Sequence, residues 1–146
     1  MEYRINKRTG DRISTLGFGT SYIAQANEAD AVATICRAYE GGVNYFDLAT
    51  AEGKTFPYFG AALADVRKNV MYQVHFGADY QTGTYGWTTD EEAIKRSIDW
   101  QLTRLRTEIM AGEGPDAFIL DATIPGTVTD SGEPLEALFP NVEKSM

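Results

Sequence analysis

An aspartate and the only histidine of the chain stand at the ends of two predicted strands, where they could share a proton. Asp47 lies near the end of the apolar segment 43–48, and His75 near the end of segment 70–76. A carboxylate beside an imidazole favours the imidazolium and raises a histidine pKa that starts at about 6.5. We therefore interpret His75 as a general acid oriented by Asp47. The simpler alternative is a half-exposed histidine that ends a strand and does no chemistry.

The elements that must position this pair alternate between strands and helices. Two short alternating segments around a glycine turn predict a hairpin over residues 3–6 and 12–14. Apolar spacing then predicts four strands and three helices, with strands at 16–20, 43–48, 70–76 and 117–120 and helices over 27–40, from 55 and from 88 onward. This rhythm implies a parallel sheet with right-handed crossovers.

Polar residues and glycines mark the predicted helix ends. Asn27 or Glu28 opens the first helix, and Gly41-Gly42 ends it. Thr55 is the predicted N-cap of the second helix, and Thr88 or Thr89 that of the third, in a capping box with the glutamates that follow. Residues 77–87 are predicted to form a loop.

Composition limits the classes of function. The 146 residues fit one domain, and 43% hydrophobic with 23% charged residues is an ordinary soluble composition. A net charge of −8 argues against nucleic acid or an anionic membrane surface as a partner. The single cysteine, Cys36, excludes an internal disulfide, and we predict no metal. Because no leader and no membrane-spanning apolar run is evident, we expect a cytoplasmic protein.

Three segments resemble the aldo/keto reductase family. They are Leu16-Gly17-Phe18-Gly19-Thr20, the helix-to-strand segment 38–47 and the helical segment 98–105, with Phe-Gly-Ala-Ala-Leu at 59–63 between them. The resemblance implies an α/β fold, the first part of a (β/α) TIM barrel with about four parallel strands and three helices after an N-terminal β-hairpin. It also implies reduction of a small carbonyl substrate with NADPH, at the C-terminal mouth where this fold places its chemistry.

The family's four catalytic residues carry over unevenly. Asp47 matches the aspartate, whereas Glu52 stands where the tyrosine belongs and His75 where the lysine belongs. The histidine position aligns loosely with Asp121. The resemblance thus implies that an Asp47–His75 pair replaces an aspartate–lysine pair, and that His75 protonates the carbonyl oxygen. Glu52 is the third catalytic candidate, although a solvated carboxylate in a polar loop is the simpler interpretation.

The resemblance further implies an NADP(H) cofactor bound in part by Gly19 and Thr20, after the first strand. The spacing of Gly17 and Gly19 is not the dinucleotide-binding fingerprint, and it is explained most simply by close approach of the backbone. The family's other cofactor-binding residues belong to later strands and loops, which this chain lacks.

We expect residues 1–122 to form a half-barrel and residues 123–146 an irregular tail. The weak match after about residue 107 favours a truncated or frame-changed product. The altered site could instead mark the family's ferredoxin-like, iron–sulfur branch, although the chain has one cysteine only. Two functions stay open: a reductase with impaired or no stand-alone activity, and a non-catalytic remnant that acts as an interaction module by pairing with itself or with a missing half-barrel.

Overall fold

A four-stranded parallel sheet is the centre of the structure, which is a computed structural model that describes residues 1–7, 10–105 and 119–121. Its strands are β3 (Phe18–Gly19), β4 (Tyr45–Asp47), β5 (Met71–His75) and β8 (Ile119–Asp121), in the spatial order β3-β4-β5-β8. Each neighbouring pair is parallel. Three α-helices of the described residues lie between these strands in the chain, and the arrangement confirms the predicted partial (β/α) barrel. The expected tail at 123–146 lies outside the described residues.

Helices α1 (Glu28–Glu40), α2 (Thr55–Ala62) and α3 (Glu91–Arg104) connect these strands. The side chain of Asn27 caps α1 by accepting the Asp30 N–H at 3.0 Å, as predicted. The helix stops because Gly42, with φ +93°, takes the left-handed conformation that favours glycine. The residues that end α1 were therefore predicted correctly.

The predicted caps of the other two helices were wrong. Asp90, and not Thr88 or Thr89, caps α3, because its carboxylate accepts the Ala93 N–H at 2.8 Å. The Thr88 hydroxyl instead accepts the N–H of Asp90 at 3.1 Å. Thr55 is the first helical residue of α2 rather than its cap, and its hydroxyl donates back to the Glu52 carbonyl at 3.1 Å.

The two faces of the parallel sheet have different roles. Phe46, Tyr72 and Val74 point toward the helices and are fully buried in the core. That core also includes residues from α1 and α2 and the end of α3, namely Ile35, Phe56, Phe59, Leu63 and Leu105. Since side chains alternate along a strand, Asp47, Gln73 and His75 lie on the opposite face, which is the interior face of a barrel.

An N-terminal hairpin lies beside the start of β4. Strands β1 (Tyr3–Ile5) and β2 (Arg12–Ser14) pair antiparallel, as predicted. Asn44, just before β4, accepts the Ser14 N–H at 2.8 Å and donates to the Arg12 carbonyl at 2.7 Å. The hairpin is thus attached where β4 begins, at the end opposite to the carboxyl ends of the parallel strands.

The segment predicted as a loop contains a second hairpin. Strands β6 (Ala78–Asp79) and β7 (Gly86–Trp87) pair antiparallel between β5 and α3. Strands of two residues are too short to show alternation in the sequence, which explains why the prediction missed them. Within the described residues, none of the helices combines the length and apolar character that crossing a membrane would require.

Candidate active site

Asp47 and His75 form a hydrogen-bonded pair at the carboxyl ends of β4 and β5. Nε2 of His75 lies 2.8 Å from Oδ1 of Asp47, and the side chains are 25% and 40% exposed, respectively. An ionised carboxylate only accepts hydrogen bonds, so Nε2 carries the proton in this pair. The predicted partnership is therefore present in the structure, at the edge of the sheet where parallel α/β folds place their ligands.

The Asp47 carboxylate is also held by its own loop. Its Oδ1 atom accepts the backbone N–H of Ala49 at 3.2 Å, in addition to the His75 hydrogen bond. The sheet holds the next residue in place, because the Leu48 N–H donates to the Gln73 carbonyl at 2.9 Å. Backbone hydrogen bonds of the two residues that follow Asp47 thus help to set the direction of its carboxylate.

The register of the sheet places Gly19 and Asp121 beside this pair. Gly19 is the neighbour of Asp47 across β3 and β4, and Asp121 is the backbone neighbour of His75 across β5 and β8. If Asp121 is aligned with the family's histidine, the histidine position therefore lies directly beside His75 on the neighbouring strand. Beneath the pair, the Tyr45 hydroxyl hydrogen-bonds Oε1 of Gln73 on the same face of the sheet.

Glu52 takes part in a different interaction. Its carboxylate accepts from Nζ of Lys54 at 2.8 Å, and both side chains are about half exposed. The hydrogen bond to Glu52 raises the pKa of Lys54. The described partner of the Glu52 carboxylate is thus a surface lysine rather than the Asp47–His75 pair.

The two residues implied for cofactor binding lie at the end of β3. The Thr20 side chain is 1% exposed, and its hydroxyl has no hydrogen-bond partner within the described part of the chain. A buried hydroxyl without a partner is costly, so it points to a polar group that completes it. At Gly19 an added Cβ would meet no atom within 4 Å, so the backbone there faces open space. No set of three or more His, Cys, Asp or Glu side chains in the described ranges is arranged to hold a metal ion.

The loops after β4 and β5 are joined by backbone hydrogen bonds, which sequence reasoning did not anticipate. The Gly53 N–H donates to the Gly83 carbonyl and the Tyr85 N–H to the Ala51 carbonyl, both at 2.9 Å. Glu52 and Thr84 form the bridge between them. We call residues 51–53 and 78–87 the mouth flap. The mouth flap could not be predicted from residue types, because its hydrogen bonds join only main-chain atoms of two separate loops.

Comparisons with known proteins show what the chain is similar to. No family model matches the chain. It is 32% identical over 120 residues to the L-galactose dehydrogenase of Arabidopsis thaliana, a match that covers 74% of this chain and 35% of that protein. The chain therefore spans about a third of the length of this curated relative.

Solved structures of aldo-keto reductases share the fold. AKR11C1 from Bacillus halodurans, solved in a holo form, superposes with a TM-score of 0.60 at 25% identity, over 73% of this chain and 37% of that one. A structure from Pseudomonas aeruginosa, provisionally assigned as an aldo-keto reductase, matches with a TM-score of 0.67 at 22% identity, over 97% of this chain and 54% of that one. In sequence and in fold, the chain corresponds to the N-terminal part of an aldo/keto reductase barrel.

Proposed function

We propose that this chain forms the proton-transfer part of an NADP(H)-dependent carbonyl reductase that acts on a small carbonyl compound. The observation that carries the proposal is the 2.8 Å hydrogen bond between His75 and Asp47 at the carboxyl ends of adjacent parallel strands. A histidine held by a carboxylate is a suitable general acid, and its location coincides with the mouth of the barrel.

Each member of the pair has a separate part in the proposed reaction. Asp47 holds Nε2 of His75, which leaves Nδ1 as the atom that donates a proton to the carbonyl oxygen of the substrate. NADP(H), when bound, supplies the hydride. Asp47 keeps the imidazole oriented while Nδ1 gives up its proton, and the neutral imidazole that remains still donates its Nε2–H to Asp47. We assign no proton transfer to Glu52, because its carboxylate pairs with Lys54.

Gly19 and Thr20 are the residues of this chain that we propose to hold the cofactor. The buried, unpartnered Thr20 hydroxyl supports the proposal, since a polar ligand group would satisfy it. The open space at Gly19 supports it as well, because a ligand could approach the backbone there. The residues present therefore fit a polar cofactor at the end of β3.

A cofactor titration tests this function. We expect weak but saturable NADPH binding by the chain, measured as a change in nicotinamide fluorescence, because only part of the family's binding residues is present. Thr20→Val keeps the shape of the side chain and removes the hydroxyl, so it should weaken binding about 3- to 10-fold, the size expected for one hydrogen bond.

The matched control is Thr34→Val, which alters an exposed threonine of α1 whose hydroxyl bonds only the Asp30 carbonyl of its own helix. It should leave the NADPH affinity unchanged. Absence of binding at millimolar NADPH, or equal affinities for wild type and Thr20→Val, would count against the proposed role of this chain.

A further inference from the structure

Tyr80 connects the loop that follows Asp47 to the hydrophobic core. Its hydroxyl donates to the main-chain oxygen of Thr50 at 3.1 Å, and the residue is 4% exposed. Burial is the main cause that raises the pKa of Tyr80, so the phenol stays neutral and keeps the proton that it donates. The hydrogen bond thus links the mouth flap to residue 50.

The Tyr80 ring is held in place by aromatic residues of both neighbouring helices. It meets Phe56 of α2 edge-on at a centroid distance of 5.1 Å and stacks on Trp100 of α3 at 5.8 Å. Trp100 also closes on the loop itself, because a Cβ added at Gly53 would lie 2.9 Å from its ring. Since these rings fix Tyr80, its hydroxyl is a rigid support rather than a mobile contact.

A short path leads from this hydroxyl to the Asp47–His75 pair. Thr50, which Tyr80 holds, directly follows Ala49, and the Ala49 N–H donates to Oδ1 of Asp47 at 3.2 Å. The same oxygen accepts from His75. A displacement of residue 50 would therefore move the Ala49 N–H and change the direction of the carboxylate that orients the imidazole.

We propose that Tyr80 is a positioning residue for the Asp47–His75 pair, acting through its hydrogen bond to the Thr50 carbonyl. The inference deepens the proposed function, since it concerns the same pair. Its consequence is that the tilt and the proton-bearing nitrogen of His75 depend on a hydroxyl that never touches substrate.

Nuclear magnetic resonance of the imidazole tests this proposal without any turnover. His75 is the only histidine, so its ring ¹⁵N and ¹³C signals are assigned without ambiguity. Three variants are compared with wild type: Tyr80→Phe, Asp47→Asn as the reference for a broken pair, and Tyr72→Phe as the control. Tyr72 is a matched control because its hydroxyl is also buried and donates to a main-chain oxygen, that of Phe59 at 3.4 Å, within the core.

We expect Tyr80→Phe to shift the His75 ring signals toward those of Asp47→Asn, and Tyr72→Phe to leave them at the wild-type positions. In Tyr80→Phe the amides of Gly53 and Tyr85 should exchange about fivefold faster, the change that one lost hydrogen bond produces in an opening equilibrium. The Leu48 amide, bonded within the sheet to Gln73, should exchange as in wild type. Equal His75 shifts in Tyr80→Phe and Tyr72→Phe would overturn the proposal.

Wild-type protein provides a second test if Tyr80→Phe does not fold. A hydroxyl proton held on the Thr50 carbonyl gives a separate, slowly exchanging signal, whereas a signal averaged with water overturns the proposal. NADPH titration of the same samples separates this inference from the proposed function. Loss of cofactor binding with the expected His75 shifts refutes only the function, and unchanged shifts with intact binding refute only the role of Tyr80.

Discussion

One carboxylate oxygen of Asp47 accepts hydrogen bonds from two donors, the His75 imidazole and the Ala49 backbone N–H. The two hydrogen bonds have different roles. The backbone bond aims the carboxylate, and the imidazole bond transmits that direction to the group that we propose as the acid. Charge-assisted bonds of this type are stronger than neutral ones, so the pair is a defined geometric unit even though both side chains reach solvent.

Replacing the aspartate by its amide tests the unit at the residue scale. Asp47→Asn keeps the size of the side chain and removes its negative charge, so it no longer holds the imidazole through a charge-assisted hydrogen bond. We expect NADPH-dependent carbonyl reduction to fall by about 10²- to 10⁴-fold, the range typical of a lost general-acid contribution, measured as kcat/KM. Asp65→Asn, an exposed position in the turn after α2, is the control and should retain full activity. A variant at Asp47 that keeps wild-type kcat/KM contradicts the proposed role.

At the scale of elements, α2 approaches the end of α3 through a glycine. A Cβ added at Gly60 would lie 2.3 Å from the Arg104 carbonyl oxygen and 3.1 Å from the backbone of Leu105. The neighbouring atoms are backbone, which cannot move aside as a flexible side chain can. The contact thus explains a glycine in the middle of a helix, where glycine is otherwise unfavourable.

Gly60→Ala should therefore destabilise the fold in spite of the higher helix propensity of alanine. We expect the free energy of unfolding to fall by about 1–3 kcal/mol, the usual cost of overpacking, measured by denaturant titration. Gly19→Ala is the matched control, since its Cβ meets nothing within 4 Å, and it should change stability by less than about 0.5 kcal/mol. Equal stability of Gly60→Ala and wild type would show that the helices can separate at no cost.

The elements also show how far sequence reasoning extends. The parallel strands and the three helices were predictable, because alternation and helical spacing record burial directly. The pairing of Asp47 with His75 followed from strand order, since the carboxyl ends of parallel strands meet at one edge. The cap at Asp90 was missed because several polar residues precede α3 and only backbone geometry selects one of them. The mouth flap and the role of Tyr80 were missed because main-chain acceptors such as Thr50 have no residue-type signature.

At the scale of the whole molecule, the described sheet is one part of a barrel. Strands β3 and β8 lie at its two edges, and the face away from the helices bears Asp47, Gln73 and His75. The helix-covered face instead encloses a core rich in aromatic residues, including two buried tyrosines, Tyr72 and Tyr80. Because of these phenols, the free energy of unfolding depends on pH in the alkaline range.

Burial raises the pKa of both tyrosines above the ordinary value of 10.0. The unfolded chain therefore loses these protons first, and the folded chain binds more protons than the unfolded chain above that pH. Folding stability contributed by the neutral phenols is complete below pH 10 and declines as the pH rises further, by up to about 1.4 kcal/mol per pH unit for each tyrosine. The double variant Tyr72→Phe/Tyr80→Phe should show a shallower decline in denaturant titrations between pH 9 and 11, and equal slopes would refute the linkage.

The mouth flap restricts the positions at which this protein can accept insertions and deletions. Loops of a barrel mouth usually change length independently, because each is attached only to its own strand and helix. Here residues 51–53 and 83–85 hold each other through backbone bonds in a set register. One added residue in either segment would shift that register and break these backbone hydrogen bonds. The two loops can therefore be lengthened only together, or at positions outside their shared bridge.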